Sequence, residues 1–258
     1  MLKLKNVTLL GLDCIDIDRL LVARDICVKD VEFGAVKMLT SLDSDDRDVI
    51  KIEKIGSLEE YSEFFIKKLN KYIDTDFVLV IQHDGFVLSA ENWREEFLNY
   101  DYIGAPWLGY FKDEVEHNVG NGGFSLRSKK LHDILAQDDH IEIGAYEDNV
   151  ICRQYRTYLE EKGCKFAPEE IAGKFAIPDV MRLKDVEFTD KCYRKYLEKQ
   201  GVVIDSKEME EKYFIPQAYK EGCLPWTGQF GFHYLNHRHM DEWLETHPEY
   251  KDRLKIEE

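Results

Sequence analysis

The sequence predicts an α/β protein whose central, mostly parallel sheet is flanked by helices, with a helical C-terminal extension. Over about the first hundred residues, short apolar runs of strand length alternate with segments whose apolar residues recur at helical spacing. The most apolar run, FVLVI at 77–81, is continuous rather than alternating, as expected of a strand covered on both faces. Each principal strand then turns abruptly polar, and in such sheets ligands sit beyond the carboxyl ends of the strands.

The elements follow in order. Residues 7–12 (VTLLGL) form the first strand, and 16–28 a helix carrying Ile17, Leu20, Leu21 and Ile26 on one side. A second strand at 35–39 leads into the Ser- and Asp-rich loop 41–46, and 49–52 is a third short strand. Ser57 with Glu60 three positions on is a capping box. It opens a helix with Tyr61, Phe64, Phe65 and Leu69 on one face. After 77–81 comes a glycine-rich middle, then helical periodicity at 129–135 and 148–159. Beyond 177 the chain is charged, with helices at 191–199 and 206–213 before an acidic tail. No repeat or linker divides it, so one domain is the simpler expectation.

Composition narrows the function. The 258 residues carry 35 Lys and Arg against 51 Asp and Glu, a net charge of −16. Such a surface repels nucleic acid and anionic lipid, and an anionic small ligand needs a local cation to offset the field. No apolar run approaches the roughly 18 residues of a membrane span. Six cysteines (Cys14, Cys27, Cys152, Cys164, Cys192, Cys223) are scattered without a CxxC pair, and 1–10 lacks a cleavage pattern. Reduced thiols in a cytoplasmic protein are the expectation.

Four places carry chemistry. Gln82-His83-Asp84-Gly85 follows the buried strand, where Asp84 is placed to hold a divalent cation on phosphates, although Asp-Gly is also a common turn pair. The loop Val119-Gly120-Asn121-Gly122-Gly123-Phe124-Ser125-Leu126-Arg127 has three glycines in four residues. Such a loop admits close backbone approach to a ligand, or simply a tight bend into a strand. Glu147 and Asp148 open a helix, where the dipole favours carboxylates as caps or as an ionised base. His233, His237 and His239 with Cys223 match no common zinc spacing, and His233 stands apart in the aromatic segment FGFH.

The order of these signals resembles the core of GT-A fold glycosyltransferases, which move a sugar from a nucleotide to an acceptor. More narrowly, FVLVIQHDGFVLSAENWREEFLNYDYIGAPW, VGNGGFSLRS, YEDNVICRQYR and FGFH look like a poorly characterised bacterial and viral family linked to surface polysaccharide genes. The resemblance implies that 1–100 form the nucleotide-binding half, and 101–177 with 230–236 the donor and acceptor half. Residues 178–229 are then a helical, acceptor-specific insertion.

It further implies that Asp84 falls at the second acid of an Asp-x-Asp metal motif and that His233 completes coordination of Mn²⁺ or Mg²⁺. Gln82 stands where the first acid is expected, and an amide is a poor substitute for a carboxylate. Asp13, Thr40, Ser41, Gln82 and His83 fall where nucleotide contacts lie. Asn121, Gly122 and Gly123 line the donor pocket, and Arg127 is a candidate to help with diphosphate charge. Asp148, with Glu147 beside it, matches the general base of inverting members. By shape alone, Trp107 is a candidate to stack on an acceptor sugar. The donor is then a nucleotide sugar and the acceptor a glycan or lipid-linked saccharide. Two other classes stay in view. One is a degenerate protein that binds a nucleotide sugar without turnover, kept alive by Gln82. The other is a nucleotidyltransferase, disfavoured because a basic glycine loop near the first strand is missing.

Overall fold

A computed structural model describes residues 1–108, 117–180, 186–213, 224, 226–233, 243–250 and 253. Cys223, His237 and His239 lie outside the described residues.

The sheet is built from β1 (Leu2–Leu12), β2 (Val31–Thr40), β3 (Val49–Lys51), β4 (Phe77–Ile81), β5 (Tyr102–Ile103) and β7 (Ser125–Ser128). Their spatial order is β3-β2-β1-β4-β7-β5. β3, β2, β1 and β4 run parallel, whereas β7 is antiparallel to both β4 and β5. Two very short strands, β6 (Trp107–Leu108) and β8 (Asp179–Val180), pair separately. The α/β expectation with a mostly parallel sheet therefore holds.

The continuous apolar run of β4 is explained by its two faces. Leu79 and Ile81 join a cluster with Ile17, Leu20 and Ala23 of α1 (Ile17–Asp30). Val78 and Val80 point the other way, toward Phe64, Phe65 and Leu69. All four are fully buried, each worth about 1.5–3 kcal/mol. Asp16 caps α1 by accepting from the Asp18 N–H.

Ser57 caps α2 (Leu58–Glu63) by accepting from the Glu60 N–H, while Glu60 reaches back to the Gly56 N–H rather than to the cap itself. The helix then widens into a π turn at Phe64–Lys68, where the Leu69 N–H bonds the Phe64 carbonyl. That extra residue keeps Phe64 and Leu69 on the same buried face despite a five-residue spacing.

The expected helix 148–159 is likewise interrupted. α4 (Glu147–Asn149) passes into a π turn at Val150–Gln154, closed by a 2.9 Å bond from Tyr155 N to the Val150 carbonyl, before α5 (Arg156–Glu161) begins. The remaining helices are α3 (Lys129–Gln137), α6 (Glu169–Phe175), α7 (Val186–Lys199) and α8 (Lys207–Tyr213). Cys14, Cys27, Cys152 and Cys164 are buried thiols, and Cys192 is partly exposed. Among the described residues no helix is long and apolar enough to cross a membrane.

Candidate active site

The chain order crosses the sheet at β1: β2 and β3 lie on one side, β4 on the other. A crevice opens at such a switch point, beyond the carboxyl ends of β1 and β4. Asp13 follows β1, Thr40 and Ser41 lie at the end of β2, and Gln82 to Asp84 follow β4. Because β7 is antiparallel, its start lies at the same edge. Ser125 pairs with Val80, so the glycine loop before Ser125 runs beside the residues that follow β4. Antiparallel pairing of one strand thus brings two distant motifs together.

The first half of the site gathers around Asp84. His233 Nε2 lies 3.6 Å from Asp84 Oδ1 and 3.0 Å from Gln82 Oε1. Gln82 donates its amide to the Tyr61 hydroxyl at 2.9 Å, which orients the carbonyl oxygen toward His233. His83 Nδ1 is 3.9 Å from Asp84 and 4.0 Å from Asp13, and burial lowers its pKa. Asp13 accepts from the Ile15 and Asp16 N–H groups and pairs with Arg19 at 2.7 Å. Thr40 is fully buried and accepts from the Leu42 N–H.

Asp84 Oδ1 is buried without a hydrogen-bond partner, in reach of an imidazole nitrogen. The carboxylate oxygen suits Mn²⁺ or Mg²⁺ with ligand phosphates completing the shell, and the imidazole nitrogen is a less usual donor for these hard cations. Among the described residues no three His, Cys, Asp or Glu side chains form a ready-made cage.

The second half is the glycine loop. A Cβ at Gly123 would lie 2.0 Å from His233 Nε2, and one at Gly122 only 2.1 Å from Glu147 Oε1. These two glycines admit the imidazole on one side and a carboxylate on the other. Asn121 holds a positive φ of 64° and accepts from the Gly123 N–H, fixing the loop. Asp148 Oδ2 accepts from the Gly122 N–H at 3.0 Å, and its Oδ1 from the Asn149 N–H at 2.7 Å. Burial, seconded by the Glu147 carboxylate, pushes the Asp148 pKa up to about 7.

Two of the candidate residues are buried. Arg127 is fully buried and turns inward, donating to Glu147 at 2.8 Å, to the Gly122 carbonyl at 3.1 Å and to Ser125 at 2.9 Å. Its guanidinium also lies over the Tyr102 and Phe65 rings. It braces the loop and Glu147 from behind and is not open to a diphosphate. Trp107 is 5% exposed, with its ring packed where a Gly120 side chain would stand. It is loop support, without an open face for a sugar. Sequence reasoning also missed two residues. Tyr61 was assigned to a helix face alone, and the signal for Arg19, a cation one turn into the helix after β1, was overlooked.

The raised Asp148 pKa has a stability consequence. A carboxyl whose folded pKa exceeds its unfolded value near 3.9 stabilises the fold only when protonated. That contribution is complete below about pH 4 and is lost as pH rises through about 7. Asp148→Asn is therefore expected to gain in melting temperature over the wild type between pH 5 and pH 8. A difference that stays constant across that range contradicts the assignment.

Residues 47–189 match the family model described as "Protein of unknown function (DUF5672)", more than half of the sequence, and the chain belongs to that family. No curated protein matches the sequence. Among solved structures, it is similar to the glycosyltransferase GlyE of Streptococcus pneumoniae TIGR4, with a TM-score of 0.45 and 12% identity over 98% of this chain and 61% of that one. A glycosyltransferase involved in glycosylation of the major capsid of PBCV-1 gives 0.38 and 12%, over 93% and 98%. The mannosyltransferase PcManGT from Pyrobaculum calidifontis, in complex with GDP-Man and Mn²⁺, gives 0.40 and 10%, over 84% and 70%. The chain thus spans 61% of the length of GlyE.

Proposed function

We propose that this protein transfers a sugar from a nucleotide-sugar donor to a hydroxyl acceptor, inverting the anomeric centre, with Asp148 as general base. One observation carries the reading. At Gly122 and Gly123 two successive loop residues touch opposite halves of the site, Asp148 at one and His233 at the other. A sugar lying on this bare stretch of backbone would have its diphosphate toward Asp84 and its acceptor toward Asp148.

In the displacement, the acceptor oxygen forms a bond to the anomeric carbon as the bond to the diphosphate oxygen breaks. The electron pair leaves with the diphosphate, and the acceptor proton passes to Asp148. A base with a pKa near 7 is well matched to that transfer. Asp84 and His233 would hold the divalent cation, which when bound neutralises charge on the leaving group. Asp13, Thr40, Ser41, Gln82 and His83 lie at the strand ends toward the nucleotide, and Arg19 adds a positive charge to this acidic protein. Glu147 holds the loop through Arg127. The acceptor is a glycan or lipid-linked saccharide of surface polysaccharide synthesis in the cytoplasm.

A second reading, binding without turnover, is favoured by one feature: Gln82 Oε1 satisfies His233 Nε2 without any cation. Release of nucleoside diphosphate from a panel of UDP-, GDP- and other nucleotide sugars, with Mn²⁺, Mg²⁺ or EDTA and mixed saccharide acceptors, separates the two. The transferase reading expects cation-dependent release with one nucleotide class. Binding of a donor with no release from any member supports the second reading.

A further inference from the structure

A second cavity, of about 840 Å³, is walled by Trp93, Trp226 and Trp243 with Asp30, Ser89 and Glu91. Leu2 borders it, whereas Asp13 stands at the other end of β1, roughly 36 Å away at about 3.3 Å per strand residue. The end of the cavity at Leu2 is therefore remote from Asp13, while its wall at Phe232 adjoins His233. We propose that the cavity binds a neutral saccharide chain.

The chemistry of the walls selects this ligand. Trp226 is 47% exposed, yet its turn is fixed. Its indole N–H donates to the Gln229 carbonyl, Thr227 N donates to the Gln229 side chain, and Gln229 donates back to Thr227. A large exposed indole held in one pose is preorganised for a ligand. Trp93 donates its N–H to Glu95 and packs at steep angles against Phe97 and Phe230. The exposed Trp226 indole offers ring surface, which suits the C–H faces of pyranose rings.

Trp243 differs. One face is stacked on His247 at 4.2 Å, and its buried Nε1–H has no acceptor among the described residues. The carboxylates of Asp30 and Glu91 supply acceptors for hydroxyl groups. Asp30 and Glu91 make the described wall acidic, which disfavours phosphates and nucleotides. The volume suits an extended ligand and exceeds what a lone quaternary ammonium group in an aromatic cage needs. The inference goes beyond the transferase reading and does not require turnover.

The test is tryptophan fluorescence and calorimetric titration of the full chain with maltotetraose, cellotetraose, mannotetraose and chitotetraose, in wild type, Trp226→Ala and Glu91→Gln. Both positions are exposed, and circular dichroism checks that each variant is folded. At least one tetrasaccharide is expected to bind. Its affinity should fall by roughly tenfold in Trp226→Ala, equal to about 1.4 kcal/mol, and should fall in Glu91→Gln. UDP and GDP with Mn²⁺ should not displace it. Absence of binding by all four overturns the proposal. So does equal binding in Trp226→Ala, displacement by nucleoside diphosphate, or a response to tetramethylammonium alone.

Discussion

Asp148→Asn is expected to lower turnover by about 10²–10⁴-fold while leaving donor affinity in place, because a positioned general base contributes on that order. Asparagine is nearly the same shape, and its amide oxygen can still accept from the Gly122 N–H that the carboxylate now engages at 3.0 Å, at the cost of the bond from the Asn149 N–H. The loop, and with it the contact between Gly123 and His233, should therefore keep its form. What disappears is the capacity to take a proton. The rate of diphosphate release at saturating donor and acceptor, set beside a donor titration of the same variant, reads the two effects apart. A variant that turns over near the wild-type rate removes Asp148 from the mechanism. One that loses donor affinity as well shows the carboxylate to be structural.

Arg127→Met should give the largest loss of stability, about 3–5 kcal/mol, the usual cost of removing one partner of a buried ion pair. The guanidinium is fully buried, and the Glu147 carboxylate facing it is 5% exposed. Without Arg127, that carboxylate is left charged in an apolar surround, and Ser125 and the Gly122 carbonyl lose a donor as well. Replacing both partners, as Arg127→Met with Glu147→Leu, should recover much of the loss, since apolar pairs of similar volume often equal buried ion pairs. Denaturant unfolding of the wild type, the single and the double variant measures this. A single variant within about 1 kcal/mol of wild type, the range of exposed pairs, would show the pair to be unimportant.

Much of this was legible in the sequence where local pattern and tertiary role agree. FVLVI at 77–81 is uniformly apolar because its two faces meet different clusters, and the strand was found at its true boundaries. Ser57, and the polar residues after β1, β2 and β4, were visible because caps and strand ends have short-range signatures. The two-residue strands at 102–103, 107–108 and 179–180 were not, since runs that short carry no periodicity. The helix at 169–175 also passed unread within a charged stretch.

In the site, residue types named the candidates, but orientation could not be read. Arg127 and Trp107 look like ligand-facing groups in a glycine-rich loop, and only packing shows them turned inward. Tyr61 looks like core because helical periodicity places it beside Phe65, on which it stacks with ring centroids 4.4 Å apart. Its hydroxyl reaches Gln82 only once β4 is laid alongside. Such contacts depend on strand order, and strand order is set by the whole chain.

The most direct test of the account is the thermal stabilisation of wild type and His233→Ala by nucleotide sugars in Mn²⁺ and in EDTA. A donor at a hundredfold its dissociation constant should add about 2.7 kcal/mol to the wild type. The account predicts this for one nucleotide class, in Mn²⁺ only, with the effect sharply reduced in His233→Ala. Absence of stabilisation by any donor, or an equal shift in EDTA and in the variant, would contradict it.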